Sequence, residues 1–98
     1  MDKETVIATI QKMAAGAAPL GNSLLFKMDE DAVHLDGTGD NNVVTVGEKE
    51  ADCTISITKE NFEKLVAGDL NPMTAVMTGK IKIGGDMSVA MKLQSLLG

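Results

Sequence analysis

The chain has 98 residues, a formal net charge of −5 and a single cysteine, with a sequence pI of about 4.6. An acidic surface repels phosphate backbones, and with no Trp, no Tyr and two Phe there is no stacking platform, so nucleic-acid binding is disfavoured. One thiol cannot close an internal disulfide, which favours a reducing compartment.

At this length one domain is expected, burying roughly 60–65% of the surface of the unfolded chain. The opening residues Met1-Asp2-Lys3-Glu4 are charged and lead into a periodic segment, unlike a secretory leader. From residue 3 to residue 15, Val6, Ile7, Ile10, Met13 and Ala14 share one helical face. Asp2 is placed to cap that helix, Gly16 to stop it, and Pro19 and Gly21 to break it.

Four strand-like pieces follow. Leu24, Phe26 and Met28 alternate with Leu25 and Lys27, and Val33 and Leu35 alternate with His34. Val44 and Val46 share a face in the third piece; Cys53, Ile55 and Ile57 do so in the fourth. Such alternation suits strands with one covered face. The links at 29–31, 37–42 and 47–52 are polar and turn-rich, and short enough for antiparallel hairpins.

The period then changes. Thr58 caps a helix carrying Phe62, Leu65 and Val66 that ends at Gly68. Asn71-Pro72 opens another, with Met73, Val76 and Met77 on one face and a stop at Gly79. Ile81 and Ile83 alternate with Lys80 and Lys82, Gly84-Gly85 turns the chain, and Asp86 caps a last helix. Its apolar set is Met87, Val89, Ala90, Met91, Leu93, Leu96 and Leu97, broad enough to meet apolar material on more than one side. The closing Ser95-Leu96-Leu97-Gly98 is not a Ser-Lys-Leu peroxisomal address. No apolar run approaches the roughly 18 residues that span a bilayer, and a cytoplasmic protein is expected. The fold class is α+β: about five strands, mainly antiparallel, with helices on one face.

Chemistry-bearing patterns are few. His34 is the only histidine, on the polar phase of a short strand, and reads as a surface residue. Cys53 opens an apolar face and reads as a small buried hydrophobe. One His and one Cys fall short of a zinc ligand set. Asp36, Thr38 and Asp40 alternate as in a calcium loop, but Asn41 and Gly47 stand where Gly and a bidentate Glu are needed, so a hairpin turn fits better. Gly79-Lys80 resembles the end of a phosphate loop, yet Ile81 replaces the magnesium-binding hydroxyl and Thr74 the first Gly. No metal or cofactor is expected.

The methionines say more. Met73 and Met77 lie four apart on one helix, Met87 and Met91 on another, so each pair stacks on one face. Two readings stand: gap filling in a thin core, towards which periodicity alone leans, or a pliable surface for varied apolar shapes.

Residues 51–97 closely resemble the sterol carrier protein 2 family. The resemblance is carried by Ala51-Asp52-x-Thr54, by Gly68-x-Leu70-x-Pro72, by Ala75, by Gly79-Lys80-Ile81-Lys82-Ile83-x-Gly85-Asp86, and by Ala90-Met91-Lys92-Leu93. These elements follow in order over nearly half the chain; the earlier half fits in its helix-then-strands layout. The resemblance implies a five-stranded sheet and helices enclosing an apolar tunnel. It also implies a non-catalytic domain that binds a fatty acid, acyl-CoA, sterol or similar lipid. In many eukaryotic members an extension beyond this chain's last residues helps close the tunnel, so closure is expected to differ here.

The candidate lining is Leu24, Phe26, Val33, Leu35, Ile55, Phe62, Leu65, Met73, Val76, Met77, Ile81, Ile83, Met87, Ala90 and Met91, a set that includes plain core residues the sequence does not separate from the lining. Lys80, Lys82 and Lys92 read first as exposed surface lysines, with a contact to a carboxylate or CoA phosphate at the mouth as the alternative. The expected partners are a lipid or fatty-acyl ligand, a membrane surface touched in passing and, through the apolar helical face, a second copy. Two rivals remain: an interaction module that docks through that face without a ligand, and a small acyl-CoA enzyme dependent on His34 or Cys53.

Overall fold

The alternating segments become the strands β1 (Ser23–Met28), β2 (Asp31–Asp36), β3 (Val43–Val46), β4 (Cys53–Ile57) and β5 (Ile81–Gly85). The periodic ones become the helices α1 (Lys3–Ala15), α2 (Lys59–Val66), α3 (Pro72–Met77) and α4 (Met87–Met91). This computed structural model describes residues 2–92. Leu93, Leu96 and Leu97, assigned above to the last helix, lie outside the described residues.

The four helix starts follow from their caps. Asp2, Thr58, Asn71 and Asp86 each accept hydrogen bonds from backbone N–H groups of the first turn, which otherwise lack partners. Pro72 sits at the first turn of α3, where its missing N–H costs nothing.

The strands form one sheet in the order β3-β2-β1-β4-β5. Three pairings are antiparallel and one, β1 with β4, is parallel. The expected mainly antiparallel α+β architecture is therefore present. One link departs from expectation. Residues 47–52 do not close a hairpin; they carry the chain from the β3 edge across β2 and β1 to β4. Central placement lets β1, apolar on both phases at Leu24, Leu25 and Phe26, be covered on both faces.

That crossing explains a second departure. Glu48 pairs with Lys27 at 3.0 Å. The Glu50 carbonyl lies 3.2 Å from His34 Nε2. The Asp52 carboxylate accepts the Ser23 backbone N–H at 3.1 Å. The segment thus lies over the outer face of the sheet and buries Leu25 and His34 there. His34 is consequently a buried, hydrogen-bonded side chain, not a surface one.

On the inner face, register sets Val33, Phe26, Ile55 and Ile83 side by side across four strands. One core cluster joins this face to Val6, Ile10 and Ala14 of α1, Phe62 and Leu65 of α2, and Val89 and Ala90 of α4. Phe26 and Phe62 meet edge to face, centroids 6.3 Å apart.

The Gly84-Gly85 pair, expected to turn the chain, instead extends β5: Gly84 pairs with Thr54 and Gly85 with Cys53. Gly85 has φ 93°, and a Cβ there would stand 2.5 Å from the Asp52 carbonyl oxygen. Only glycine permits this close approach.

Candidate functional site

Where β5 forms the sheet edge, the short helices α3 and α4 leave a groove. Its floor is Ile55, Ile81 and Ile83 from β4 and β5; its walls are Pro72, Met73, Val76 and Met77 from α3 and Met87, Ala90 and Met91 from α4. All ten lining residues are apolar, and the volume is about 150 Å³.

The helix register produces this opening. In α3 the face turned inward is anchored by Ala75, fully buried, and in α4 by Val89 and Ala90. Alanine fills little space, so the flanking methionines stand over the gap without closing it. Met73, Met77, Met87 and Met91 are 55, 84, 54 and 64% exposed. Four large apolar side chains exposed around one mouth form a patch that needs an explanation, whereas scattered ones would not. The cap of α4 is firm: Asp86 Oδ1 accepts from the Ser88 backbone N–H at 2.9 Å and its hydroxyl at 2.6 Å. These bonds hold the Asp86 carboxyl below its ordinary range.

Nine of the expected lining residues meet here: Ile55, Met73, Val76, Met77, Ile81, Ile83, Met87, Ala90 and Met91. The other six, Leu24, Phe26, Val33, Leu35, Phe62 and Leu65, are packed in the core away from the groove. Pro72 was missed. It lies four residues before Val76, so its ring falls on the same side of α3. Among the described residues the site is an open groove rather than an enclosed tunnel.

None of Lys80, Lys82 and Lys92 lines the groove. Lys92 Nζ donates to the Leu20 carbonyl at 3.1 Å and to Asn22 Oδ1. Lys80 and Lys82 line a second, polar concavity of about 340 Å³, together with Lys27, Asp29, Ser56, Ile57, Thr58 and Gly79. Cys53 lies in the inner core, its thiol pushed above the ordinary range by burial and then by the nearby Asp86 charge. His34 lies on the outer face, so the two do not form one reactive centre. Asp36 and Asn42 serve the β2–β3 hairpin. Asp36 accepts from Thr38, while Asn42 accepts the Leu20 N–H at 2.9 Å and donates to carbonyls at the end of α1. Among the described residues no group of three or more His, Cys, Asp or Glu is placed to hold a metal ion.

Comparison with known proteins bears on what such a groove does. The family model described as the SCP-2 sterol transfer family matches residues 4–98. Over 58 residues, 59% of this chain, the sequence is 45% identical to sterol carrier protein 2 of Homo sapiens, of which the match covers 11%. Over 66 residues, 65% of this chain, it is 42% identical to hydroxysteroid dehydrogenase-like protein 2 of Xenopus laevis, covering 16% of that protein. The matched segments are thus a small part of these curated relatives. The solution structure of the sterol carrier protein domain 2 of Helicoverpa armigera is 30% identical. It aligns over 98% of this chain and 73% of that one, with a TM-score of 0.66. Palmitated SCP2L2 from Aedes aegypti, at 23% identity, shares the fold over 99% of this chain and 95% of that one, with a TM-score of 0.76.

Proposed function

The chain belongs to the SCP-2 sterol transfer family, and from that premise we propose that it is a non-catalytic carrier holding the apolar chain of a fatty acid or similar lipid in the groove between α3, α4 and β5. The observation that carries this reading is the lining: ten residues, every one apolar, beneath four exposed methionines.

The energetics are adequate without a polar anchor. Each buried methylene contributes about 0.8 kcal/mol, so about ten methylenes reach micromolar affinity. The groove is small for this. Its 150 Å³ is about half the lower limit of usual small-molecule sites, roughly 300 Å³. Methionine side chains repack easily, and the open rim lets them move apart around a tail. Affinity is therefore set by chain length more than by headgroup, as suits a carrier of low specificity. The palmitated neighbour supports a fatty-acyl ligand for this fold.

The test is displacement of a fluorescent fatty acid from the purified chain, with native mass spectrometry of what co-purifies. Saturable one-to-one binding that strengthens with chain length is expected. Met73→Gln with Met77→Gln should weaken it roughly tenfold or more, since both side chains face the tail. Absence of saturable binding, with a lipid-free oligomer in the spectrometer, would replace the carrier by an interaction module that uses the methionine face.

A further inference from the structure

The polar concavity lies on the opposite side of β5 from the groove. Register builds it: Lys82 pairs with Ser56, and Ser56 with Lys27, in one row across β5, β4 and β1. Two residues along lie Lys80, Thr58 and Asp29, on the same face of the sheet. It is a shallow, open concavity of about 340 Å³. Gly79, at φ 78° with open space where a side chain would stand, keeps its margin clear.

The charges in this concavity run against the rest of the chain. The protein carries 14 acidic residues against nine basic ones, yet three lysines converge here. Lys27 is engaged by Glu48 at 3.0 Å, and Asp29 by the Lys59 backbone N–H at 3.3 Å. Lys80 and Lys82 have no acidic partner among the described residues. Beside them on the β4 side are Ser56, half-buried, and Thr58, exposed.

We infer that this concavity binds a phosphate group, with Lys80 and Lys82 as its charge and the Ser56 and Thr58 hydroxyls as hydrogen-bond donors. Lysine ammonium groups serve phosphate as point charges, and hydroxyls supply direction. The phosphate has two possible sources of one chemistry. It is either a free phosphorylated molecule, or the head of an amphiphile whose tail crosses the edge strand β5, which has Ile81 and Ile83 on the groove side and Lys80 and Lys82 on this one.

Titration of the isotope-labelled full chain with inorganic phosphate, at ionic strength matched by chloride, tests this by amide NMR. Saturable shifts at Ser56, Thr58, Gly79, Lys80 and Lys82 are expected. Lys80→Ala with Lys82→Ala should bind at least roughly tenfold more weakly; Lys12→Ala with Lys64→Ala, which removes equal charge elsewhere, should bind as the wild type does. Shifts that never saturate, or equal weakening in both double variants, would reduce the site to general charge attraction and overturn it. Melting curves of the variants report that the fold is intact. Decyl phosphate, kept below micelle-forming concentration, separates the sources. If it binds more tightly than inorganic phosphate, and loses that gain in the Met73→Gln, Met77→Gln variant, the phosphate is a headgroup. If the tail adds nothing, it is a free ligand. Inorganic phosphate has no tail, so its result and that of the fatty-acid test fail independently.

Discussion

The helix side of the sheet is packed in two different ways. On the β1 and β2 side the inner face is sealed, with α1 lying over β2 and β3: Met28 is 1% exposed and Phe26 meets Phe62 of α2 edge to face. Over β5, α3 and α4 leave Met77 84% exposed and the groove open. The backbone scaffold is continuous; the filling differs. Both aromatic residues of the chain stand in the first region, and α1 has 13 residues where α3 has six and α4 five. The second region makes its helix contacts through Ala75, Val89 and Ala90. Small contacts and short helices do not fill the space that two phenylalanines fill, so one region is sealed core and the other leaves an apolar surface exposed.

The largest expected effect breaks the packed region alone. Phe26→Ala leaves a cavity under α2 and should cost about 3–5 kcal/mol, much of the stability of a domain this size. Met77→Ala removes a side chain that is mostly in water and should cost within about 0.5 kcal/mol. Urea denaturation of the two variants measures the contrast directly. Similar losses in both would mean that the methionine rim is part of the core and that the division into two regions is wrong.

A second expectation sharpens the two ends of β5. Gly79 and Gly85 both have left-handed backbones, φ 78° and 93°. Gly79→Ala meets open space and should cost only the conformational penalty, about 1–2 kcal/mol. Gly85→Ala adds a clash with the Asp52 carbonyl, 2.5 Å away. The backbone must shift to relieve it, adding roughly 1–3 kcal/mol. Thermal melts that place Gly85→Ala no lower than Gly79→Ala would show that this approach is slack.

Much of this was readable in the residues, and the failures have physical causes. The caps at Asp2, Thr58, Asn71 and Asp86 are local chemistry, so their positions were legible. The crossing at 47–52 was not. A polar six-residue link reads the same whether it reverses the chain or passes over two strands. His34 followed from that error, since its burial comes from a segment some 16 residues away that lies over it. Gly85 read as a turn because glycine pairs mark turns more often than strand ends. The mixture of core and groove among the apolar candidates has another cause. Leu35 and Ile83 lie on the same phase of alternating strands, and only the length and side-chain size of the helices above decide which is sealed.

The smallest expected effect is set by pH and acts on one wall of the groove. Asp86 caps α4, and Ser88, first through its hydroxyl and then through its backbone N–H, holds the Asp86 carboxyl below its ordinary 3.8. A carboxyl whose folded value is lowered contributes stability that is complete above the unfolded value and is lost as pH falls through the folded one. Asp2 and Asp36 are held low in the same way by Thr5 and Thr38, so the protein as a whole weakens below about pH 4. Asp86→Asn separates the contributions, because the amide oxygen still accepts from Ser88 but does not titrate in this range. The advantage of wild type over Asp86→Asn in melting temperature should therefore shrink as pH falls from neutral to 3. The loss should begin where the cap is. The methyl signals of Met87 and Met91 on α4 should shift before those of Met28 in the packed region, as α4 loosens ahead of the core. Methyl signals of all three that move together would mean that the groove wall and the core unfold as one unit, and that the two regions differ in packing but not in local stability.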